Sequence, residues 1–302
     1  MSMEEYNTVI IGAGPAGLSA AIYASRAGRK TLLLDKATPG GQIYLSSMVE
    51  NYPGVKSTSG QELIKTMVAQ AESFGTEVKP FSEVIESDLK QKQVKTKDSQ
   101  YHAENIIIAT GNRWRKLGVP GEDDLVGRGV SYCATCDGPF FKGKNVAVVG
   151  GGDSAVEETL HLTNFAEKVT LIHRRDELRA EKYMQEKAFE NERIEFLWNS
   201  EVQSINGESG VESLSLKNNK TGEESRLPVA GVFIYIGMLP NTELFRDQLE
   251  TDERGYIKTT EKMETALSGV FAAGDARHSP VKQITTATAD GTIAAIVSSG
   301  GH

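Results

Sequence analysis

Short β-branched and apolar runs that end in glycine alternate with amphipathic stretches along this chain, and the alternation occurs twice. Thr8 to Ile11 reads as a buried strand, Leu18 to Ala27 as a helix and Thr31 to Leu34 as the next strand. Val146 to Val149, Ala155 to Leu162 and Val169 to Ile172 repeat that order. Each copy closes on an apolar strand and a glycine: Ile106 to Ile108 precede Ala109-Thr110-Gly111, and Val232 to Ile236 precede Gly237. The pattern predicts an α/β protein made of two Rossmann-like units. Gln61 to Phe74 reads as a further helix whose Leu63, Ile64, Met67, Val68, Ala71 and Phe74 share a core face.

The turns between first strand and helix carry chemistry. Gly12, Gly14 and Gly17 suit a sharp turn whose backbone amides approach a pyrophosphate at the helix N-terminus. The second copy has Gly150, Gly152 and Ala155. Asp35, at the end of the next strand, suits a ribose without a phosphate, so the first unit is expected to take FAD or NAD. The second unit has His173, Arg174 and Arg175 there, followed by Arg179, and cationic forks favour the 2′-phosphate of NADP. The same arginines also fit a solvated helix start, because Asp176, Glu177 and Glu181 are interleaved with them.

A net charge of −8 over 302 residues speaks against general binding of nucleic acid or an anionic membrane. With 39% hydrophobic and 25% charged residues, the composition is that of an ordinary globular protein of about two domains. Met1 to Asn7 carries Glu4 and Glu5 and lacks the basic and apolar segments of a signal peptide. The longest apolar stretch, Val229 to Leu239, is far short of the ~20 residues of a membrane helix, so a cytoplasmic protein is expected.

That setting bears on the only two cysteines, Cys133 and Cys136, which form one C-A-T-C unit. A bridge across so short a loop would remove only about 2 kcal/mol of unfolded-chain entropy, and lasting structural disulfides are unusual in reducing cytosol. A cycling redox pair is the favoured reading, beside that of two inert buried thiols. No metal is expected, because a closed zinc site wants four ligands and there is neither a second cysteine pair nor a nearby histidine pair.

Gly12-Ala-Gly-Pro-Ala-Gly17, Gly40-Gly41-Gln42, Glu50-Asn51-Tyr52-Pro53-Gly54, Tyr132-Cys-Ala-Thr-Cys-Asp-Gly138, Gly150-Gly-Gly-Asp-Ser-Ala155, His173-Arg-Arg-Asp176 and Phe271-Ala-Ala-Gly-Asp275 together resemble the low-molecular-weight, bacterial-type thioredoxin reductases, over nearly the whole length. Periodicity by itself yields two units; the resemblance implies three-layer domains with the NADPH domain, residues 116–248, inserted into an FAD domain formed by 1–115 and 249–302. It implies that FAD is held by Gly12, Gly14, Pro15, Ala16, Gly17, Asp35, Gly41, Gln42, Asn51, Thr110, Gly111, Gly274, Asp275, Lys282 and Gln283. It implies that NADPH is held by Gly150, Gly152, Asp153, Ser154, Ala155, His173, Arg174, Arg175 and Arg179. Asp275 matches the residue that binds the flavin's ribityl chain, and Lys282-Gln283 a pair beside the isoalloxazine. Gly274-Asp275 and Asp137-Gly138-Pro139 also read as ordinary turns.

In the mechanism that the resemblance implies, NADPH reduces FAD, FAD reduces the disulfide, and the dithiol reduces oxidised thioredoxin. Cys136 resembles the sulfur that meets the flavin, Cys133 the one that attacks thioredoxin, and Asp137 the proton donor and acceptor. The family forms homodimers and rotates its NADPH domain, which would place hinges near Asn112 to Gly121 and Gly237 to Leu249. A ferredoxin-driven flavin thioredoxin reductase shares the architecture but lacks the NADPH motifs; Gly150 to Ala155 and the arginines speak against it. A flavin-binding redox sensor without turnover is the alternative from another class.

Overall fold

The computed structural model describes residues 3–46, 49 and 51–301, with the backbone alone for Leu45 and Cys136. Glu50, part of one family-like segment, lies outside the described residues. The chain divides into two compact units, Met1–Arg113 with Leu239–His302, and Trp114–Met238.

From the N-terminus, β1 (Met3–Ile11), α1 (Pro15–Arg26), β2 (Thr31–Leu34), α2 (Gly60–Ser73) and β3 (Glu77–Lys79) are followed by the strands β4 (Val84–Asp88), β5 (Gln93–Thr96) and β6 (Gln100–Ile108). After β7 (Asn112–Trp114), the second unit contains β8 (Val130–Ser131), α3 (Ala134–Asp137), β9 (Asn145–Gly150), α4 (Asp153–Leu162), β10 (Lys168–Ile172), α5 (Lys182–Phe189) and β11 (Ile194–Leu197). It continues through β12 (Ser200–Asn206), β13 (Ser213–Asn218), β14 (Glu224–Pro228) and β15 (Gly231–Tyr235). The chain crosses back in β16 (Met238–Pro240), which pairs with β7, and ends with β17 (Val270–Ala272) and α6 (Ile284–Ser298).

The first unit is built on a seven-stranded sheet in the order β3-β2-β1-β6-β5-β4, with β17 also paired to β6. Its centre is parallel: Ile10 lies opposite Leu33 on one side and Ile107 on the other. Successive strand residues face opposite ways. Ile10, Leu33 and Ile107 pack with α1, α2 and α6, while Val9, Ile11, Leu32, Leu34, Ile106 and Ile108 pack with Phe245, Leu249 and Ile257. Burial on both faces explains why these strands are unbroken apolar runs.

The second unit repeats this logic on a five-stranded sheet, β11-β10-β9-β15-β8, paired in parallel throughout. Val146, Val148, Leu171 and Phe233 pack towards α4 and α5. Ala147, Val149, Ile172 and Val232 pack against the antiparallel β12-β13-β14 sheet.

Several boundaries differ from the sequence pattern, and those of the first two helices have clear local causes. α1 begins at Pro15, whose fixed φ suits the first helical turn and whose missing N–H costs nothing there. α2 starts at Gly60, with the Ser59 hydroxyl accepting from Glu62 N at 3.2 Å. Phe74, expected on the core face of this helix, is its exposed C-cap, and the Arg26 guanidinium lies over its ring. Among the described residues no helix is long and apolar enough to cross a membrane.

Candidate functional site

The three glycines of the first turn do different physical work. A Cβ on Gly12, which has φ +106°, would lie 2.3 Å from the Ala109 carbonyl oxygen, and one on Gly17 would lie 1.8 Å from the Gly12 carbonyl oxygen. These positions close the turn and seat α1 on the sheet. A Cβ on Gly14 would meet nothing within 4 Å. The backbone is thus open where a pyrophosphate must approach, and α1 starts without a capping side chain, leaving its first amides for an anion. The second turn matches: a Cβ on Gly150 would lie 2.5 Å from both Ala155 Cβ and the Tyr235 carbonyl oxygen, Gly152 faces open space, and α4 is likewise uncapped by a side chain.

Around the first turn, the Asp35 carboxylate accepts from Ala13 N at 2.6 Å and Ala37 N at 2.9 Å, fastening the β2 end to the glycine loop. Burial raises its pKa, against the pull of those two amides. Gly41 sits over Gly14, its Cβ direction ending 3.8 Å from Gly14 Cα, and Gln42 Nε2 donates to the Asn112 carbonyl at 2.8 Å. Asn51 Nδ2 reaches Gln283 Oε1 at 3.4 Å, so two of the expected flavin neighbours are brought together. Thr110, which precedes Gly111, donates its hydroxyl to Asn241 O at 2.6 Å and thereby holds the returning chain. Asp275 follows β17 in a short turn. Burial raises its pKa, opposed by Lys282, whose Nζ donates to the Asp275 carbonyl at 3.3 Å. Its carboxylate has no hydrogen-bond donor among the described residues and fits a ligand hydroxyl. Ala16 Cβ abuts Gly274, and Pro15 begins α1, so these two shape the cradle.

Sequence reasoning missed Asp290. It is 8% exposed, and its Oδ2 accepts from Gly274 N at 3.1 Å and Arg277 Nη1 at 3.0 Å, so it grips the Asp275 turn from both sides. The available signal was that Asp290 is the one charged residue in an otherwise uncharged α6.

In the second unit the predicted residues follow the carboxyl ends of β8, β9 and β10, where ligands bind in open α/β sheets. His173 is 4% exposed and lies against Gly151, where a Cβ would be 2.3 Å from the ring. Burial, then Arg179, hold its pKa below the ordinary value, and its Nε2 has no hydrogen-bond partner among the described residues. Arg179 N donates to Gly151 O at 2.7 Å, which brings that loop onto the glycine turn. Asp176 pairs with Lys220 at 2.5 Å, and among the described residues no carboxylate forms an ion pair with Arg174, Arg175 or Arg179. These arginines lie in a loop before α5, not on a helix start. A buried imidazole whose Nε2 has no partner among the described residues, and three exposed guanidiniums without an ion pair there, stand around an open glycine turn and fit a phosphorylated dinucleotide. Asp153 Oδ1 accepts from Glu181 N at 2.7 Å, tying the starts of α4 and α5, and Ser154 is exposed beside it.

Cys133 is disulfide-bonded, and the sequence holds one other cysteine, Cys136. Ser131, buried at the end of β8, accepts from Cys133 N at 3.0 Å and donates to Cys133 O at 3.3 Å, while Asp137 N donates to Cys133 O at 3.1 Å. Asp137 lines a cleft of about 430 Å³ with Ser131, Phe140 and Lys144, so protons can exchange with solvent beside the redox helix. Among the described residues no cluster of three or more metal-ligating side chains occurs.

Glu158 on α4 is a half-buried titratable group outside the predicted set. Burial, then Glu157, push its pKa up to about 7, and its Oε2 lacks a partner among the described residues. Because the folded-state pKa lies above the ordinary 4.5, the folded protein binds the extra proton, and stability is lost as pH rises from about 4.5 to 7. Glu158→Gln removes this loss; thermal unfolding at pH 8 should show the variant more stable by up to about 3 kcal/mol, with the gap closing below pH 5. A constant difference across that range would refute the assignment.

The comparisons agree with this geometry. The pyridine nucleotide-disulphide oxidoreductase family model matches residues 6–291. Thioredoxin reductase of Bacillus subtilis (strain 168) is 52% identical over 299 residues, covering 98% of this chain and 94% of that protein. The crystal structure of Lactococcus lactis thioredoxin reductase in the FR conformation is 45% identical, with a TM-score of 0.79 and 97% of each chain covered. A ferredoxin-flavin thioredoxin reductase from Clostridium acetobutylicum is more distant, at 30% identity and a TM-score of 0.54, with 99% of this chain and 98% of that one covered. The chain therefore belongs to the pyridine nucleotide-disulphide oxidoreductase family, in its low-molecular-weight thioredoxin reductase branch.

Proposed function

We propose that this protein is an NADPH-dependent thioredoxin-disulfide reductase that works in the cytoplasm as a homodimer. The observation that carries the reading is the disulfide of Cys133 just after β8, in the same parallel sheet whose β9 and β10 ends bear the open glycine turn and the arginines that have no ion pair among the described residues. The first unit would hold FAD through the Gly12 turn, Asp35 and Asp275. The second would hold NADPH through the Gly150 turn, His173 and the arginines. FAD, when bound, relays the two electrons of a hydride from NADPH to the disulfide.

The chain's own residues then do thiol chemistry. Taking up two electrons and two protons breaks the Cys133–Cys136 bond and leaves a dithiol. The Cys133 thiolate attacks one sulfur of the thioredoxin disulfide, forming a mixed disulfide and releasing the other sulfur as a thiolate. Cys136 attacks Cys133 Sγ of that mixed disulfide, restoring the internal bond and freeing the second thioredoxin thiol. Asp137, beside its solvent cleft, holds and returns the proton that the thiols exchange. The disulfide must meet both the flavin and a bulky protein, so the second unit turns about β7 and β16, the crossings between the units.

Anaerobic titration with NADPH, followed by flavin absorbance, tests the reading. Full bleaching is expected at roughly two equivalents per flavin, because the disulfide takes one pair of electrons and the flavin the other. Bleaching by roughly one equivalent would disconnect the cysteines, and no response to NADPH would favour the ferredoxin-driven alternative.

A further inference from the structure

Both chain neighbours of Cys133 are hydrogen-bonded to residues that lie a few positions inside the crossings. Ala134 N, on its C-terminal side, donates to the Tyr235 hydroxyl at 2.6 Å. Tyr132, on its N-terminal side, donates its hydroxyl to Glu122 Oε1 at 2.7 Å. Glu122 is 2% exposed, and its carboxylate also accepts from Leu117 N at 3.0 Å and Gly118 N at 2.7 Å, on the segment that leaves the first crossing. A carboxylate buried that deeply is tolerated because donors surround it, so the segment is held in one arrangement. Tyr235 closes β15, two residues before Gly237, whose carbonyl accepts from Arg115 N at 3.0 Å.

One indole joins the two sides. Trp114, the last residue of β7, stacks on Tyr132 with ring centres 6.4 Å apart and planes at 11°, and meets Tyr235 edge-on at 6.5 Å and 85°. We infer that Tyr132 and Tyr235 are positioning residues for Cys133, coupling the backbone on either side of the reactive sulfur to the two crossings through Trp114 and Glu122. The inference rests on the reductase reading above. Displacement of either crossing is passed to one flank of Cys133, so the sulfur's presentation follows the crossings and not the sheet alone. Ser131 grips the Cys133 backbone from the sheet side, leaving the flanking peptides as the adjustable elements. Neither tyrosine is ionised in this role: burial, then Glu122, raise the Tyr132 pKa, and burial raises that of Tyr235.

The test uses FAD-loaded enzyme and two NADPH-driven turnovers on the same preparation: reduction of thioredoxin, which needs the dithiol, and reduction of ferricyanide, which draws electrons from the flavin. Tyr235→Phe removes one hydroxyl and keeps the ring. The ratio of thioredoxin to ferricyanide turnover is expected to fall about tenfold, and the pH profile for iodoacetamide alkylation of the reduced enzyme to shift. Tyr132→Phe provides a second, independent variant with the same expected split. Glu122→Gln, whose NH2 must face either Gly118 N or the Tyr132 hydroxyl and Leu117 N, is expected to lower the ratio in the same direction. Equal losses of both turnovers in both tyrosine variants, or an unchanged ratio, would overturn the inference. Failure of the unsubstituted enzyme to reduce thioredoxin would instead overturn the reductase reading.

Discussion

Cys133→Ser lowers NADPH-driven thioredoxin reduction to below about a thousandth of the unsubstituted rate, because serine offers no thiolate at neutral pH and leaves no disulfide to accept electrons. NADPH still bleaches the flavin of this variant, now at roughly one equivalent. The fold should change little: Ser131 and Asp137 hold the Cys133 position through its backbone N–H and carbonyl, which serine retains. Cys136→Ser separates the roles of the sulfurs. Its Cys133 thiolate can attack thioredoxin, but no second sulfur resolves the product, so a covalent complex accumulates and is visible on a non-reducing gel. If Cys133→Ser traps the complex and Cys136→Ser does not, the two assignments exchange.

Gly17→Ala and Gly14→Ala have opposite consequences despite being three residues apart and adding the same methyl group. At Gly17 the new carbon would stand 1.8 Å from the Gly12 carbonyl oxygen, and backbone cannot rotate away as a side chain could. α1 must leave the sheet, at a cost of about 3 kcal/mol or more, a large part of the stability of an ordinary domain. The expected result is a markedly lower melting temperature and little retained flavin. At Gly14 the methyl meets no protein atom within 4 Å. The apoprotein should melt within a few degrees of the unsubstituted apoprotein, yet bind FAD at least about tenfold more weakly, because the methyl occupies the path of the pyrophosphate. Normal flavin content in purified Gly14→Ala would remove the pyrophosphate from that turn. An unshifted melting curve for Gly17→Ala would show that α1 relaxes without penalty.

The contrast between those glycines also marks how far sequence could reach. Spacing located both glycine turns, and the apolar runs located the strands beside them, because these features depend on local demands: a left-handed or uncapped backbone in one case, burial on two faces in the other. Arg174, Arg175 and Arg179 were found by their place after the second strand, but with two readings open. What bears on that choice is Asp176, whose partner Lys220 lies 44 residues away and could not be read from the neighbouring sequence. Thr110, assigned from resemblance to the cofactor, also has a partner far along the chain, since its hydroxyl donates to Asn241 O.

Residues that act through distant partners were not legible. Tyr235 and Ala134 are 101 positions apart, Glu122 is one acidic residue among many until Tyr132 and two amides converge on it, and Asp290 signals itself only as a lone charge in α6. By itself, the sequence determined the local conformations and the chemical groups available: two glycine turns, two sets of buried strands, a basic loop and a pair of cysteines. Tertiary structure alone decided which strand ends stand side by side, which charges are already paired and what grips the residues flanking Cys133. The physical reason is that backbone preference and hydrophobic periodicity are written in neighbouring residues, whereas parallel sheets join segments far apart in the chain and create their sites only where those segments meet.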